Sequence, residues 1–257
     1  VEALEVAGHI NAHTLAFTGN PSGSLAQTAG HAIVVEGPEL PHGPGLISYL
    51  SSLLMGFALI HQMAPTSVGE AIDQAVKRLT NEMEGWIQRR WKEGVRFAGG
   101  AQEGECVFLG SGPSLGSALF GAAKLLEASG EYAWGQDVEE WAHLEYFAAE
   151  PMMRTWLLSA DGRAASRESE VRAAADALGR YWHEDHFDLL KVDYGEINEI
   201  LAPLVLWAGP SGYASCRTEM LGEVPFRNFA GGRDRQEGGG ASRIRSSERS
   251  IFSGYPE

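Results

Sequence analysis

The chain has 257 residues, a mass of 27.7 kDa and 44% hydrophobic residues, enough for one large or two small domains with a buried core. Charged residues make up 21%, so the composition is that of a globular protein and excludes a collagen-like or wholly disordered chain. The 34 acidic and 20 basic side chains give a net charge of −14. This charge repels a polyphosphate backbone, so we expect no nucleic-acid partner, and an anionic substrate must be held by local donors.

The cysteine count and the N-terminus bear on the compartment. Two cysteines, Cys106 and Cys216, suit a reducing compartment with buried thiols, and a single disulfide between them is the alternative. Residues 1–5 are acidic and lack the apolar core of a secretory signal. The longest apolar stretch, residues 46–60, is shorter than the roughly 20 residues of a membrane span, and we expect a helix buried between neighbours. These features predict a cytoplasmic protein without membrane contacts.

Short apolar runs and helical periods alternate along the first 100 residues. The pattern predicts helices at 1–8, 24–29, 45–62 and 67–92, and buried strands at 14–18 and 31–35. The helix at 67–92 has one apolar stripe and an opposite charged face, which suggests that it joins two lobes. We therefore assign residues 1–66 to a first lobe and 67–100 to a connecting helix.

The same alternation continues in residues 101–225, which we assign to a second lobe. Strands are predicted at 106–109, 132–135, 154–158 and 187–192, and helices at 115–129, 138–147, 168–180, 197–208 and 213–221. Short apolar strands separated by helices are typical of a parallel sheet covered on both faces, so the fold class is α/β. The tail, residues 226–257, is rich in Gly and Arg and has no hydrophobic period.

A glycine-rich loop between the strand at 106–109 and the following helix is the strongest local motif. It contains Gly110, Ser111, Gly112 and Ser114, and the amides at such a helix start suit an anion, typically a phosphate. The third glycine is misplaced for a dinucleotide motif, and no Gly-Lys-Ser/Thr of a P-loop follows. A tight strand-to-helix turn without a ligand is the alternative.

Two pairs of polar residues follow this loop at helical spacing. Lys124 and Glu127 share one face of an otherwise apolar helix, and a carboxylate there beside an ammonium suits a general base. Glu140 and His143 are likewise three residues apart. A surface ion pair and a surface histidine are the structural alternatives for these two pairs.

The stretch VFLGSGPSLGSALFGAAKLLEASGEYAWGQDVEEWAH, from Val107 to His143, resembles the second half of sugar isomerase (SIS) domain proteins. This family includes the isomerase part of glucosamine-6-phosphate synthase and single-chain phosphosugar isomerases and deaminases. Residues 1–7 and 13–39 resemble the later part of a first SIS lobe, so the likeness covers roughly residues 1–160. It implies two doubly wound parallel-sheet lobes, the first of which lacks its N-terminal part in this numbering.

The resemblance also implies roles for individual residues. Glu127 matches the family's acid/base, which moves a proton between C1 and C2 of an open-chain sugar phosphate, and Lys124 matches the lysine that orients it. His143 matches the ring-opening histidine that reaches the neighbouring subunit, which implies a homodimer with a shared active site. Ser111, Gly112, Ser114 and Glu140 are candidate substrate contacts.

The chain departs from the family pattern at three places. The Ser/Thr-rich phosphate loop of the first lobe would lie before Val1. Where the family often has Ser-Thr-Lys, this chain has residues 40–45, in which His42 is a polar substitute or an ordinary loop histidine. Arg243 and Arg245 in the tail are candidates for a basic residue that folds over the substrate, with a solvated tail as the alternative.

Together these features predict an aldose–ketose isomerase of a sugar phosphate, most simply an amino sugar, that acts by isomerisation or deamination. A fructosamine-phosphate deglycase and a non-catalytic sugar-phosphate-binding module are the alternatives. The run His183-Glu184-Asp185-His186 resembles a metal motif, but it has no third ligand and is expected in a loop between a helix and a strand. The sequence indicates no metal or other cofactor.

Overall fold

The computed structural model describes residues 1–35, 37, 45–63, 65–100, 105–148, 153–188 and 195–222. His42, Arg243, Arg245 and the tail therefore lie outside the described residues. The first part of the chain contains the elements α1 (Glu2–His9), β1 (Leu15–Thr18), α2 (Ser24–Thr28), β2 (His31–Val34), α3 (Leu46–Met63) and α4 (Thr66–Gly100). The second part contains β3 (Cys106–Leu109), α5 (Pro113–Ser129), β4 (Ala133–Gln136), α6 (Val138–His143), β5 (Arg154–Ala160), α7 (Ala165–Ala177), β6 (Trp182–Phe187), α8 (Gly195–Leu201), α9 (Pro203–Leu206) and α10 (Ala208–Met220).

The second part is built on a four-stranded parallel sheet in the order β4-β3-β5-β6. Every residue of β3 and β5 is buried, as expected for central strands covered on both faces. Cys106 at the start of β3 lies opposite Ala133 on β4 and Arg154 on β5, so the three strands begin in register. This confirms the α/β class and the parallel sheet predicted from the alternation of strands and helices.

Alternate residues of β3 supply two separate cores, one on each face of the sheet. Phe108 packs with Trp156 and Tyr213 on the side of α4, α5 and α10, where ring centroids lie 5.7–6.5 Å apart. Val107 and the other residues of the second core lie on the side of α6 and α7. Since successive strand residues point to opposite faces, the uniform apolar run of β3 serves both cores.

Helices α4 and α10 cross at backbone contact. A Cβ on Gly94 would lie 2.1 Å from the carbonyl oxygen of Gly209, and one on Gly212 would lie 2.5 Å from that of Trp91. Helix α4 runs to Gly100, beyond the predicted end at 92, because Phe97 and Ala98 still bury against the sheet. Glycine thus permits the close packing that joins α4 to the second part.

The first part is less buried than the sequence suggested. β1 and β2 form a two-stranded parallel sheet, which confirms the strand predicted at 31–35, but all four residues of β2 are exposed, so its predicted burial is wrong. Among the described elements the main cover of this sheet is the short helix α2. The exposed residues of β2 thus have no second layer of described residues over them.

Helix α3 forms where a helix was expected, but no residue of it is fully buried. Its inner stripe, including Tyr49, Leu50 and Leu53, packs on the second part, while Leu54, Ile60 and Met63 point away and are 48–77% exposed. The prediction of a helix buried between neighbours is therefore wrong within this chain. By length and composition α3 could cross a membrane, with a mean hydropathy of 1.4.

The last strand lies five residues earlier in the chain than the predicted range 187–192. The edge strand is β6 at Trp182–Phe187, so the run from His183 to His186 lies in a strand and not in a loop. Its residues alternate: His183 stacks on Phe97 and Asp185 contacts Arg90, whereas Glu184 and His186 face the other side. This alternation separates the four side chains, and the described part of the chain contains no cluster of three metal-binding residues.

Candidate functional site

The glycine-rich loop forms a tight connection between β3 and α5. Gly112 caps the helix with φ +53°, a region that favours glycine, and a Cβ on Gly110 would lie 2.5 Å from the carbonyl oxygen of Ser114. The amides of Ser114 and Leu115 donate to the carbonyls three residues back, each at 3.1 Å. These two amides already have acceptors, which agrees with the alternative of a tight turn without a ligand.

The predicted catalytic pair lies near the other end of α5. The ammonium of Lys124 donates to a carboxylate oxygen of Glu127, and it also lies 5.2 Å from the ring centroid of Phe120. The side chain of Lys124 is 11% exposed and that of Glu127 is 38% exposed. The arrangement is therefore a buried cation that holds and orients a carboxylate at the surface, as a positioned general base requires.

Helical geometry separates this pair from the glycine-rich loop. Ser114 and Glu127 are 13 positions apart on one helix, which corresponds to about 20 Å at 1.5 Å per residue. A small sugar phosphate does not span that distance, so the loop and the pair do not touch one substrate molecule within a single chain. Ser114 is buried, Ser111 is half-buried and Gly112 is exposed.

Helix α6 presents His143 to solvent. Its side chain is 73% exposed, and Nδ1 lies 2.7 Å from the carbonyl oxygen of Glu139. Since a carbonyl only accepts, Nδ1 carries the proton of the neutral ring and leaves Nε2 as a free acceptor. Glu140 on the same helix is exposed, and the carboxylate of Glu139 accepts from Nε and Nη2 of Arg167 at 2.7 and 2.9 Å.

A cavity of about 270 Å³ is lined on one side by Lys124, the cation of the predicted catalytic pair. Lys124 and Phe120 from α5 form one wall, and Ser211, Ser215 and other residues of α10 form the opposite wall. Sequence reasoning missed this wall. The signal was available in α10, where hydroxyl residues recur at positions 211, 215 and 218, the spacing of one helix face.

A second polar network lies at the carboxyl ends of β5 and β6, and sequence reasoning missed it as well. The hydroxyl of Ser159 donates to Glu184 at 2.9 Å and lies 2.8 Å from Nδ1 of His186, whose Nε2 is 3.2 Å from Asp161. Nearby, Glu168 on α7 is only 4% exposed. Burial, followed by the charges of Glu184 and other acidic neighbours, raises the pKa of Glu168 to about 8.

Both cysteines are free thiols in the structure, Cys106 buried and Cys216 half-buried. Burial raises the pKa of the Cys106 thiol to about 12, although the charge of Arg154 acts in the opposite direction. The thiol is therefore neutral at physiological pH and behaves as a small apolar core residue.

Comparison with solved structures defines the fold as SIS-type. A phosphosugar isomerase of unproven activity from Salmonella typhimurium matches with a TM-score of 0.71 and 19% identity, over 86% of this chain and 70% of that chain. Glucosamine-6-phosphate deaminase from Thermotoga maritima matches with a TM-score of 0.63 and 16% identity, over 88% and 67%. Tagatose-6-phosphate ketose/aldose isomerase from Escherichia coli matches with a TM-score of 0.60 and 19% identity, over 87% and 65%.

At these identities the likeness establishes the fold, and it confirms the resemblance seen in the sequence. No protein-family model matches the chain, and no curated protein sequence matches it. The chain thus has the architecture of the sugar isomerase domain proteins. Its sequence identity to them is too low to transfer the roles of individual residues.

Proposed function

We propose that the chain is a phosphosugar aldose–ketose isomerase that acts on an amino-sugar phosphate by isomerisation or deamination. The observation that carries this proposal is the pair on α5, in which the buried ammonium of Lys124 holds the half-exposed carboxylate of Glu127. The SIS-type fold supports it, because structures named as phosphosugar isomerases and as a glucosamine-6-phosphate deaminase share this architecture.

In the proposed mechanism Glu127 removes the proton from C2 of the open-chain sugar and returns it to C1. One carboxylate suffices, since the two carbons are adjacent and the transferred proton stays on the same face. The enediolate or enolamine formed between these steps carries negative charge, which the ammonium of Lys124 opposes at close range. With an amino group at C2, protonation of C1 leaves an imine at C2, and addition of water to this C=N bond gives the 2-ketose and releases ammonia.

Ring opening is assigned to His143 of a second subunit in a homodimer. Its side chain is 73% exposed, and its free Nε2 points away from the carbonyl that fixes Nδ1. Such a ring is available to accept a hydroxyl proton from a sugar bound in a neighbouring subunit. The same proposal includes the division of the chain at residues 66, 100 and 225 and a cytoplasmic location. It also includes substrate contacts by Glu140, His42, Arg243 and Arg245.

The decisive experiment is isotope exchange. Fructose-6-phosphate and glucosamine-6-phosphate are incubated in D₂O with wild type, Glu127→Gln and the exposed control Glu70→Gln, and deuterium at C1 and C2 is followed by NMR. We expect exchange in wild type and the control, and a loss of at least about a hundredfold in Glu127→Gln. Saturable binding without exchange would replace the proposal with a non-catalytic binding module.

The shared site has its own test. Glu127→Gln and His143→Ala are each expected to be inactive, and equal mixing of the two should restore about a quarter of wild-type activity, since half of the dimers are mixed and each has one intact site. If no mixture regains activity after subunit exchange, His143 does not act across a dimer.

A further inference from the structure

The cavity beside α5 has mostly apolar walls. Leu46 from α3, Trp91 from α4 and Phe120 from α5 enclose it from three helices. A cavity of about 270 Å³ is close to the lower limit for small-molecule sites in proteins. Its lining does not suit a phosphate or a bare polyol, because neither has an apolar surface to bury there.

Hydroxyl groups on one wall supply hydrogen bonds. Ser211 and Ser215 lie one turn apart on α10, and their hydroxyls make no hydrogen bond to any of the described residues. The hydroxyl of Thr218 on the same face is already used, because it donates to the carbonyl of Ala214 at 2.8 Å. Two hydroxyls are therefore available to accept from a ligand.

The charges around the cavity favour a cation. Lys124 lines the cavity, but its ammonium is neutralised by the carboxylate of Glu127. Glu219 is a further lining residue, at the exposed end of α10, so Lys124, its partner Glu127 and Glu219 together carry one net negative charge. A carboxylate ligand would be repelled by Glu219, whereas an ammonium would pair with it.

We propose that this cavity binds a small apolar primary amine, with its hydrocarbon body against Trp91 and Phe120 and its ammonium at Ser215 and Glu219, which lie one turn apart on α10. Because Lys124 lines the cavity, the bound amine would lie beside the catalytic pair of the proposed function.

Calorimetric titration of the full chain with phenethylamine tests the site without any sugar. The comparison ligands are 2-phenylethanol, which lacks the charge, and 3-phenylpropionate, which reverses it. We expect saturable binding of phenethylamine and at least about tenfold weaker binding of the other two. Glu219→Gln should weaken amine binding about three- to fivefold, while Glu70→Gln, on exposed α4 surface, leaves it unchanged.

Two filling variants, Ser211→Leu and Ser215→Leu, should each abolish binding while circular dichroism shows a folded chain. Absence of phenethylamine binding, equal affinity for the three ligands, or undiminished binding by both folded variants would overturn the amine site. Isotope exchange on the sugar phosphates is measured separately. Amine binding without isotope exchange would overturn the proposed function and leave the amine site standing. Isotope exchange without amine binding would overturn the amine site and leave the proposed function standing.

Discussion

The guanidinium of Arg90 on α4 and the carboxylate of Asp185 on β6 lie 2.8 Å apart, with side chains only 5% and 7% exposed. The guanidinium also lies 4.5 Å from the ring centroid of Trp86. Burial raises the pKa of Asp185 to about 7, although the charge of Arg90 acts in the opposite direction. This pair fixes the long helix to the edge strand of the sheet in a place where water does not reach.

Removal of one partner of this pair should cost more than removal of both. Arg90→Leu leaves a buried carboxylate without its cation and should lower the free energy of unfolding by about 3–5 kcal/mol. The double variant Arg90→Leu/Asp185→Leu should lose clearly less, and Arg89→Leu, an exposed neighbour, should lose under about 1 kcal/mol. Urea unfolding measures all three. Equal losses for Arg90→Leu and Arg89→Leu would contradict a structural role for the pair.

The crossing of α4 and α10 predicts opposite effects of alanine at two glycines of one helix. A Cβ on Gly94 meets the backbone of α10, so Gly94→Ala should destabilise by about 1–3 kcal/mol or more. A Cβ on Gly99 meets nothing within 4 Å, so Gly99→Ala should be neutral or stabilise by up to about 1 kcal/mol. Thermal unfolding distinguishes them, and a stable Gly94→Ala variant would mean that the two helices lie further apart.

Glu168 gives the stability of the protein a defined pH dependence. Because its pKa is raised to about 8 in the folded chain, the native state keeps a proton that the unfolded state has lost. Its contribution to stability is therefore complete below about pH 4 and falls by up to about 1.4 kcal/mol per pH unit until about pH 8. Glu168→Gln removes this fall.

The difference in unfolding free energy between Glu168→Gln and wild type should accordingly grow from pH 5 to pH 8 and then level off. Urea unfolding at four pH values measures it. Glu170→Gln, an exposed carboxylate on the same helix, is the matched control and should show no such growth. A difference that is independent of pH would mean that the pKa of Glu168 is not raised in the folded chain.

The cap of α5 can be tested through backbone conformation alone. Gly112 has φ +53° with nothing within 4 Å of an added Cβ, so Gly112→Ala adds strain without a clash and should cost about 1–2 kcal/mol. Gly116, one turn into the same helix, also has open space but an ordinary backbone, so Gly116→Ala should stabilise by about 0.5–1 kcal/mol. If both variants stabilise the chain, the loop does not require the left-handed conformation.

The local sequence pattern was sufficient to predict much of the secondary structure in the second part of the chain. The strand at Cys106–Leu109 and the helix that follows it were predicted closely, because a short apolar run bounded by glycines has few other structures. The pairing of Lys124 with Glu127 also followed directly from helical spacing. In these places the local signal and the tertiary fold agree.

The wrong predictions concern elements whose position or burial depends on tertiary contacts. The strand at Trp182–Phe187 carries two histidines and two acids, so it has no apolar alternation, and its pairing with β5 establishes it. The exposure of α3 and β2 could not be read from apolarity, which gives the tendency to be buried but not the presence of a cover. The cavity requires α5 and α10, about 90 positions apart, to be placed side by side.

The glycine crossing has a mechanical consequence. Helix α4 is 35 residues long, about 50 Å, and its backbone approaches that of α10 at Trp91 and Gly94, in its last third. Two helices in such contact cannot slide independently, so a tilt at the N-terminal end of α4 is transmitted to α10 as the motion of a rigid lever. The wall that carries Ser211 and Ser215 would move with it, and the width of the cavity would then report the orientation of a segment tens of ångströms away.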